Sequence, residues 1–219
     1  MNVIHWLLHL LFPPKCILCR KVLQENELDL CRECRVDAPE YPAGKRKLQF
    51  LDSFVAVWYY EECVRKSLLR YKFYNERNLA VPYGRLLAMK ITEEHPEGLD
   101  ILTWIPISRL RKLRRGYDQC ELLAKAVGEE LGMTPVPTLK KIRNNRRQSG
   151  IVGAAQRRAN VLGVYQVPDP EIIRGKRVLL LDDIVTTGAT AGEAARVLLI
   201  AGASEVHCAA VAASRKVNK

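Results

Sequence analysis

The sequence predicts an α/β protein built on a mostly parallel sheet and preceded by a small cysteine module. Three observations carry that prediction. Segments rich in β-branched and aromatic residues alternate with segments of helical spacing, as in chains built from βαβ units. The stretch RVLLLDDIVTTGAT, residues 177–190, runs from a strand apolar on both faces into a small-residue loop and then a helix. Two CxxC pairs, CILC and CREC, stand eleven residues apart near the start of the chain.

Those four cysteines, Cys16, Cys19, Cys31 and Cys34, have the spacing of a structural zinc ribbon or knuckle. Each CxxC turn aims two thiolates at one point, and four thiolates close a tetrahedral shell with no position left for chemistry. The competing reading is a pair of disulfides. Zinc is preferred because the remaining cysteines, Cys63, Cys120 and Cys208, are scattered and the rest of the chain reads as cytoplasmic. The segment is too short to hold a core alone, so the metal supplies much of its folding energy.

Ahead of it, MNVIHWLLHLLFPP reads as a short helix stopped by Pro13 and Pro14. It lacks a basic start and a cleavage site, so it is a poor signal peptide. His5 and His9 on it read as paired surface histidines rather than zinc ligands. No apolar run reaches the ~20 residues of a membrane helix.

Residues 37–47, DAPEYPAGKRK, read as a linker. Residues 53–60 read as a strand. Val64, Leu68, Leu69, Leu79, Leu86, Leu87 and Met89 mark a helical region, and residues 100–108 a buried strand entering a loop. RLRKLRRGYDQ is expected to be that loop. A helix follows, with Leu122, Leu123, Ala126, Val127 and Leu131 on one face and Gly132 as its stop. A strand is expected near residues 136–142, then a long acid-free loop, RNNRRQSGIVGAAQRRAN. Thr190 with Glu193 has the form of a capping box, which starts a helix at Thr190, and Gly202 ends it. EVHCAAVAA is the last strand.

The formal charge is +11, from 35 Lys and Arg against 24 Asp and Glu, which suits an anionic partner. The charge is concentrated: residues 106–168 hold thirteen Lys/Arg and four Asp/Glu, a net of +9.

The adjacent Asp182 and Asp183 end the apolar strand, and Thr186, Thr187, Gly188, Ala189 and Thr190 follow. A helix N-terminus behind a small-residue loop presents unpaired N–H groups to a phosphate. Carboxylates accept hydrogen bonds from vicinal hydroxyls or hold a divalent cation. An anion cradle beside an acidic pair describes a ribose 5-phosphate site. A P-loop and a dinucleotide-binding loop are excluded, since neither GxxxxGK[ST] nor GxGxxG occurs.

VLLLDDIVTTGAT closely resembles the signature of type I phosphoribosyltransferases, which bind 5-phosphoribosyl-1-diphosphate (PRPP). The cysteine module, IPISRLRKLRRGYDQCELLA, RQSG and QRRANVLGVY together resemble the ComF family of competence-associated proteins (ComFC-like), and that resemblance covers nearly the whole chain. It implies an α/β sheet of the type I phosphoribosyltransferase kind at residues 50–219, after an N-terminal helix and zinc-binding module at residues 1–45. By resemblance, Asp182 and Asp183 are the catalytic pair that binds the ribose 2- and 3-hydroxyls, and residues 186–190 bind the 5-phosphate. The loop holding Arg109, Arg111, Lys112, Arg114 and Arg115 matches the diphosphate loop. Residues 143–160, with Arg146, Arg147, Arg157 and Arg158, match a loop that closes over the site. Mg2+ travels with the diphosphate of PRPP.

The reaction implied is displacement of diphosphate from C1 of the ribose. Thr186 stands where some purine-salvage relatives carry an Asp, which argues against a hypoxanthine or guanine acceptor and leaves the acceptor unnamed. The alternative is a DNA-processing accessory protein that keeps the site as a sensor or phosphate anchor. The resemblance names natural competence and DNA uptake as the setting, with single-stranded DNA and a competence helicase as partners. Stacking platforms are scarce, since Tyr117 and Tyr165 are the only aromatic residues in the basic segment. A zinc scaffold without a ligand would leave the DDIVTTGAT stretch unexplained.

Overall fold

The computed structural model describes residues 12–42, 44, 46–143 and 162–215. The expected N-terminal helix with His5 and His9, and Arg146, Arg147, Arg157 and Arg158 of the expected closing loop, lie outside these residues. Within them, a four-stranded sheet runs in the order β1 (Ser53–Tyr59), β6 (Glu205–Ala213), β5 (Arg177–Val185), β2 (Ile101–Trp104), and every pairing in it is parallel. The doubly apolar RVLLL segment lies inside the sheet, where a parallel strand is covered on both faces.

The two covers differ. Val55, Val57, Leu102, Leu179, Leu181, Ala209 and Val211 face α2 (Glu62–Phe73), α3 (Ala80–Glu94) and α5 (Gln119–Leu131). Phe54, Ala56, Val178, Leu180, Cys208 and Ala210 face α6 (Ala189–Ile200). Helices α3 and α5 approach through small residues: a Cβ added to Gly84 would lie 2.6 Å from Ala126 Cβ.

The cysteine module carries α1 (Arg32–Asp37) and a turn closed by an antiparallel bridge between Lys15 and Val22. Its Cys16, Ile17, Leu18 and Leu30 are buried in the same apolar cluster as α2 and α3. Asp29 takes two hydrogen bonds from Arg85 of α3, at 2.9 and 2.5 Å.

Four expectations need correction. The basic stretch after Ser108 is a helix, α4 (Arg109–Arg115), rather than a loop. Arg, Lys and Leu are good helix formers, Ser108 Oγ accepts the Arg111 N–H, and Gly116 at φ 80° closes the end. The strand expected near 136–142 shrinks to β3 (Lys140–Lys141), which pairs antiparallel with β4 (Tyr165–Gln166). Pro135 and Pro137 remove two ladder donors upstream. The expected linker at 37–47 is no free tether at its start, since Tyr41 N–H donates to Val57 O and Tyr59 N–H to Pro39 O along the edge of β1. Lastly, α6 starts at Ala189 with Gly188 as its N-cap, so Thr190 is not the cap. Glu193 is engaged elsewhere: it accepts the Gly163 N–H at 2.8 Å and pairs with Arg196.

No helix among the described residues is long and apolar enough to cross a membrane.

Candidate functional site

Strand alternation sends the two neighbouring aspartates to different surroundings. Asp183 continues the Leu179/Leu181 row toward α2, α3 and α5 and is 2% exposed. There it meets a group absent from the sequence-based site. Lys72, in the last turn of α2, places Nζ 2.9 Å from Asp183 Oδ1. Burial disfavours the Lys72 ammonium, but the charges of Asp183 and then Asp182 outweigh it and raise its pKa. The other carboxylate oxygen, Asp183 Oδ2, is buried with no hydrogen-bond partner among the described residues.

Asp182 is half-buried. Its Oδ1 accepts the Asp183 N–H at 2.8 Å and the Cys120 thiol at 3.6 Å. Burial, and then the neighbouring charge of Asp183, push its carboxyl up to about 8. Burial likewise pushes the Cys120 thiol well up, so it stays a thiol and a donor.

Past Val185 the chain turns through Thr186 and Thr187 to Gly188, whose φ of 81° lies in the left-handed region. Thr187 Oγ1 accepts the Ala189 N–H at 3.3 Å and braces that turn. Asp182, Thr186, Gly188, Ala189 and Thr190 line one small cleft. An acid therefore shares its cleft with the N-terminus of α6, whose positive dipole end suits an anion. Asp183 and Thr187 do not line that cleft.

Residues 46–49 cover this loop. Arg46 Nη1 donates to Thr186 O at 2.6 Å, the Leu48 side chain packs on Gly188, and the Gln49 carbonyl faces Gly192. Neither Arg46 nor Lys72 carries a local signal, because each reaches the loop or strand from far away in sequence.

The expected diphosphate arginines separate. The charge of Arg111 reaches both the amine of Lys141 and the hydroxyl of Tyr165, which also feel Asp182; burial pushes the Tyr165 hydroxyl well up in spite of Arg111. Lys141 on β3 was not anticipated; burial and then Arg111 push its amine down to about 8. Arg115 turns to Gln119 and lies 5.1 Å from the centre of the Phe73 ring. Arg109 and Arg114 are exposed, and Lys112 pairs with Glu121 at 2.7 Å. Asp118 anchors this edge, capping α5 and accepting the Ile107 N–H at 3.0 Å.

In the cysteine module, the sulfurs of Cys16, Cys19, Cys31 and Cys34 all lie within 4.8 Å of one another, and Cys19 and Cys31 are 3.6 Å apart. Tetrahedral zinc with bonds near 2.3 Å requires sulfurs about 3.8 Å apart, so the cluster fits a closed structural zinc site. None of the seven cysteines is in a disulfide.

The Phosphoribosyl transferase domain family matches residues 118–218, and the Double zinc ribbon domain family matches residues 7–45. The fold and the site thus define a phosphoribosyltransferase-like α/β domain behind a double zinc ribbon. Over 201 residues the chain is 27% identical to the DNA utilization protein YhgH of Salmonella typhi, covering 88% of this chain and 87% of that one. It is 25% identical over 217 residues to Competence protein F of Haemophilus influenzae, covering 88% and 94%. It is 26% identical over 187 residues to Competence protein ComFC of Bacillus subtilis, covering 85% and 72%. Over most of its length the chain is thus similar to proteins named for competence and DNA utilization, and it shares with its two family matches a zinc ribbon and a phosphoribosyl transferase domain.

Proposed function

We propose that the chain is a cytoplasmic phosphoribosyltransferase of the ComF family that binds PRPP, as its magnesium complex, or a related 5-phosphoribosyl ligand, and serves DNA uptake. Its phosphoribosyltransferase-like domain spans residues 50–219, and its zinc-binding module residues 1–45. The observation that carries this reading is the single cleft in which Asp182 meets the loop of residues 186–190. In that cleft the N–H groups at the start of α6, with the hydroxyls of Thr186 and Thr190, hold the 5-phosphate. Asp182 accepts a ribose hydroxyl, with Asp183 behind it. Arg111 and Lys141 stand on the flank where a diphosphate leaves, Arg111 as a fork donor and Lys141 as a point charge. An acceptor forms its bond to C1 as the C1–O bond to diphosphate breaks, and magnesium bound to PRPP would neutralise the charge of the departing diphosphate. Thr186 offers no general base, so the acceptor must be nucleophilic without one or lose its proton to solvent.

Calorimetric titration of PRPP with Mg2+, followed by a diphosphate-release assay with nucleobases, tests the reading. Binding with base-stimulated release supports a transferase and identifies its acceptor. Binding without release reduces it to a sensor or phosphate anchor, and no binding overturns it.

A second reading, that the chain binds single-stranded DNA alongside a competence helicase, is favoured by one specific arrangement. Phe73 and Tyr74 expose 63% and 73% of their surface, with Arg115 against the Phe73 ring, whereas Tyr117 and Tyr165 are buried. Exposed rings next to guanidinium groups make a stacking platform with phosphate contacts. A low-salt gel shift with single-stranded DNA that weakens in Phe73→Ala/Tyr74→Ala supports it; no shift at low salt removes it.

A further inference from the structure

Resting on the phosphoribosyl reading, we infer that Lys72 is a positioning residue of this site: it clamps Asp183 so that one carboxylate oxygen is spent on the ammonium and the other is held ready for a ribose hydroxyl. Three observations on separate elements converge. Lys72 Nζ lies 2.9 Å from Asp183 Oδ1, with the two side chains 19% and 3% exposed. Asp183 Oδ2 is buried and unpartnered, although buried acceptors are nearly always satisfied. A ligand hydroxyl is the donor such an oxygen lacks. The thiol of Cys120 goes to Asp182, so it does not compete for Oδ2.

The clamp also explains how two carboxylates tolerate adjacent positions on a buried strand. A carboxylate with 3% exposure needs a fixed counter-charge, and Lys72 supplies it without lining the cleft of residues 186–190. Lys72 therefore acts through Asp183. It supports recognition of the diol and contributes nothing to holding the phosphate.

The test compares ribose 5-phosphate, 2-deoxyribose 5-phosphate and inorganic phosphate on the full-length zinc-loaded protein, wild type, Lys72→Met and Lys72→Arg. Wild type is expected to prefer ribose 5-phosphate over the deoxy sugar by about tenfold. Lys72→Met brings the two sugars within about twofold while inorganic phosphate binds as before, and Lys72→Arg falls between. Wild-type preference in Lys72→Met overturns the inference, as does an equal loss for all three ligands, which marks a merely structural ion pair. Should Lys72→Met fail to fold, Lys72→Arg decides: a reduced preference supports positioning and an unchanged one overturns it. A wild-type protein that binds neither sugar overturns the phosphoribosyl reading itself, and this inference with it.

Discussion

Leu48 closes over Gly188: a Cβ added at position 188 would lie 2.5 Å from Leu48 Cδ2, on a backbone whose φ is already 81°. Gly188→Ala therefore meets two obstacles, a strained backbone and a clash. It is expected to destabilise the protein by about 1–3 kcal/mol and to weaken ribose 5-phosphate binding. Adding Leu48→Ala removes the clash but not the strain, so thermal melting of the double variant should show partial recovery. Full recovery would mean that backbone strain contributes nothing at this turn.

The two aspartates predict unequal responses to neutralisation. Asp182→Asn keeps a side chain of the same shape in the cleft and is expected to lower affinity for magnesium-PRPP by about tenfold. Asp183→Asn also leaves the Lys72 ammonium buried without its partner, so it should lower the melting temperature more than Asp182→Asn does. Calorimetry and thermal melts on both variants and on the double variant separate the two effects. Unchanged PRPP affinity in the double variant would sink the site assignment.

The raised carboxyl of Asp182 predicts a pH trend. In the unfolded chain it titrates near 4, and in the free folded protein burial and Asp183 hold its proton to about 8. Between those values the folded state carries a proton that the unfolded state has lost. This group's contribution to stability is thus full below about 4 and is lost as pH rises toward 8. Chemical denaturation of wild type and Asp182→Asn across pH 5–8 checks it: the wild-type slope should be more negative. Equal slopes would show that Asp182 titrates normally in the folded protein.

Removing zinc should disturb more than the cysteine module. Cys16, Ile17, Leu18 and Leu30 lie in the core shared with α2 and α3, and Ser67 and Arg70 of α2 both donate to the Ile17 carbonyl. Metal analysis should find one zinc per chain. Chelation or Cys31→Ser should lower the melting temperature of the whole protein in a single transition. A second transition, with the first unmoved, would mean that the module folds separately.

Much of the molecule can be read along the chain, because its signals are local. The four cysteines, the apolar strand carrying Asp182 and Asp183 and running on to Val185, and the loop to Gly188 each lie within a short window. Lys72, Lys141 and Arg46 escaped notice because α2, β3 and the segment after the cysteine module reach β5 and its loop only through tertiary folding. Helix α4 was misread because five cations in seven residues look like a solvated loop, although none of its residues disfavours a helix and both ends are capped. The Thr190–Glu193 pattern misled for a different reason. A glycine in the left-handed region had already begun the helix, and Glu193 had found Gly163 and Arg196.

Residues 46–49 carry a consequence for any attempt to shorten the chain. A fragment beginning at Ser53 would keep every strand of the parallel sheet, yet it would strip Arg46 from the Thr186 carbonyl and Leu48 from Gly188. The loop of residues 186–190 would then face solvent on a side where the intact protein has a wall. The natural seam for truncation or for swapping cysteine modules between relatives therefore lies before Arg46, and hybrids joined after Gln49 should inherit a loosened turn at Thr186–Gly188 even with both parents' folds intact.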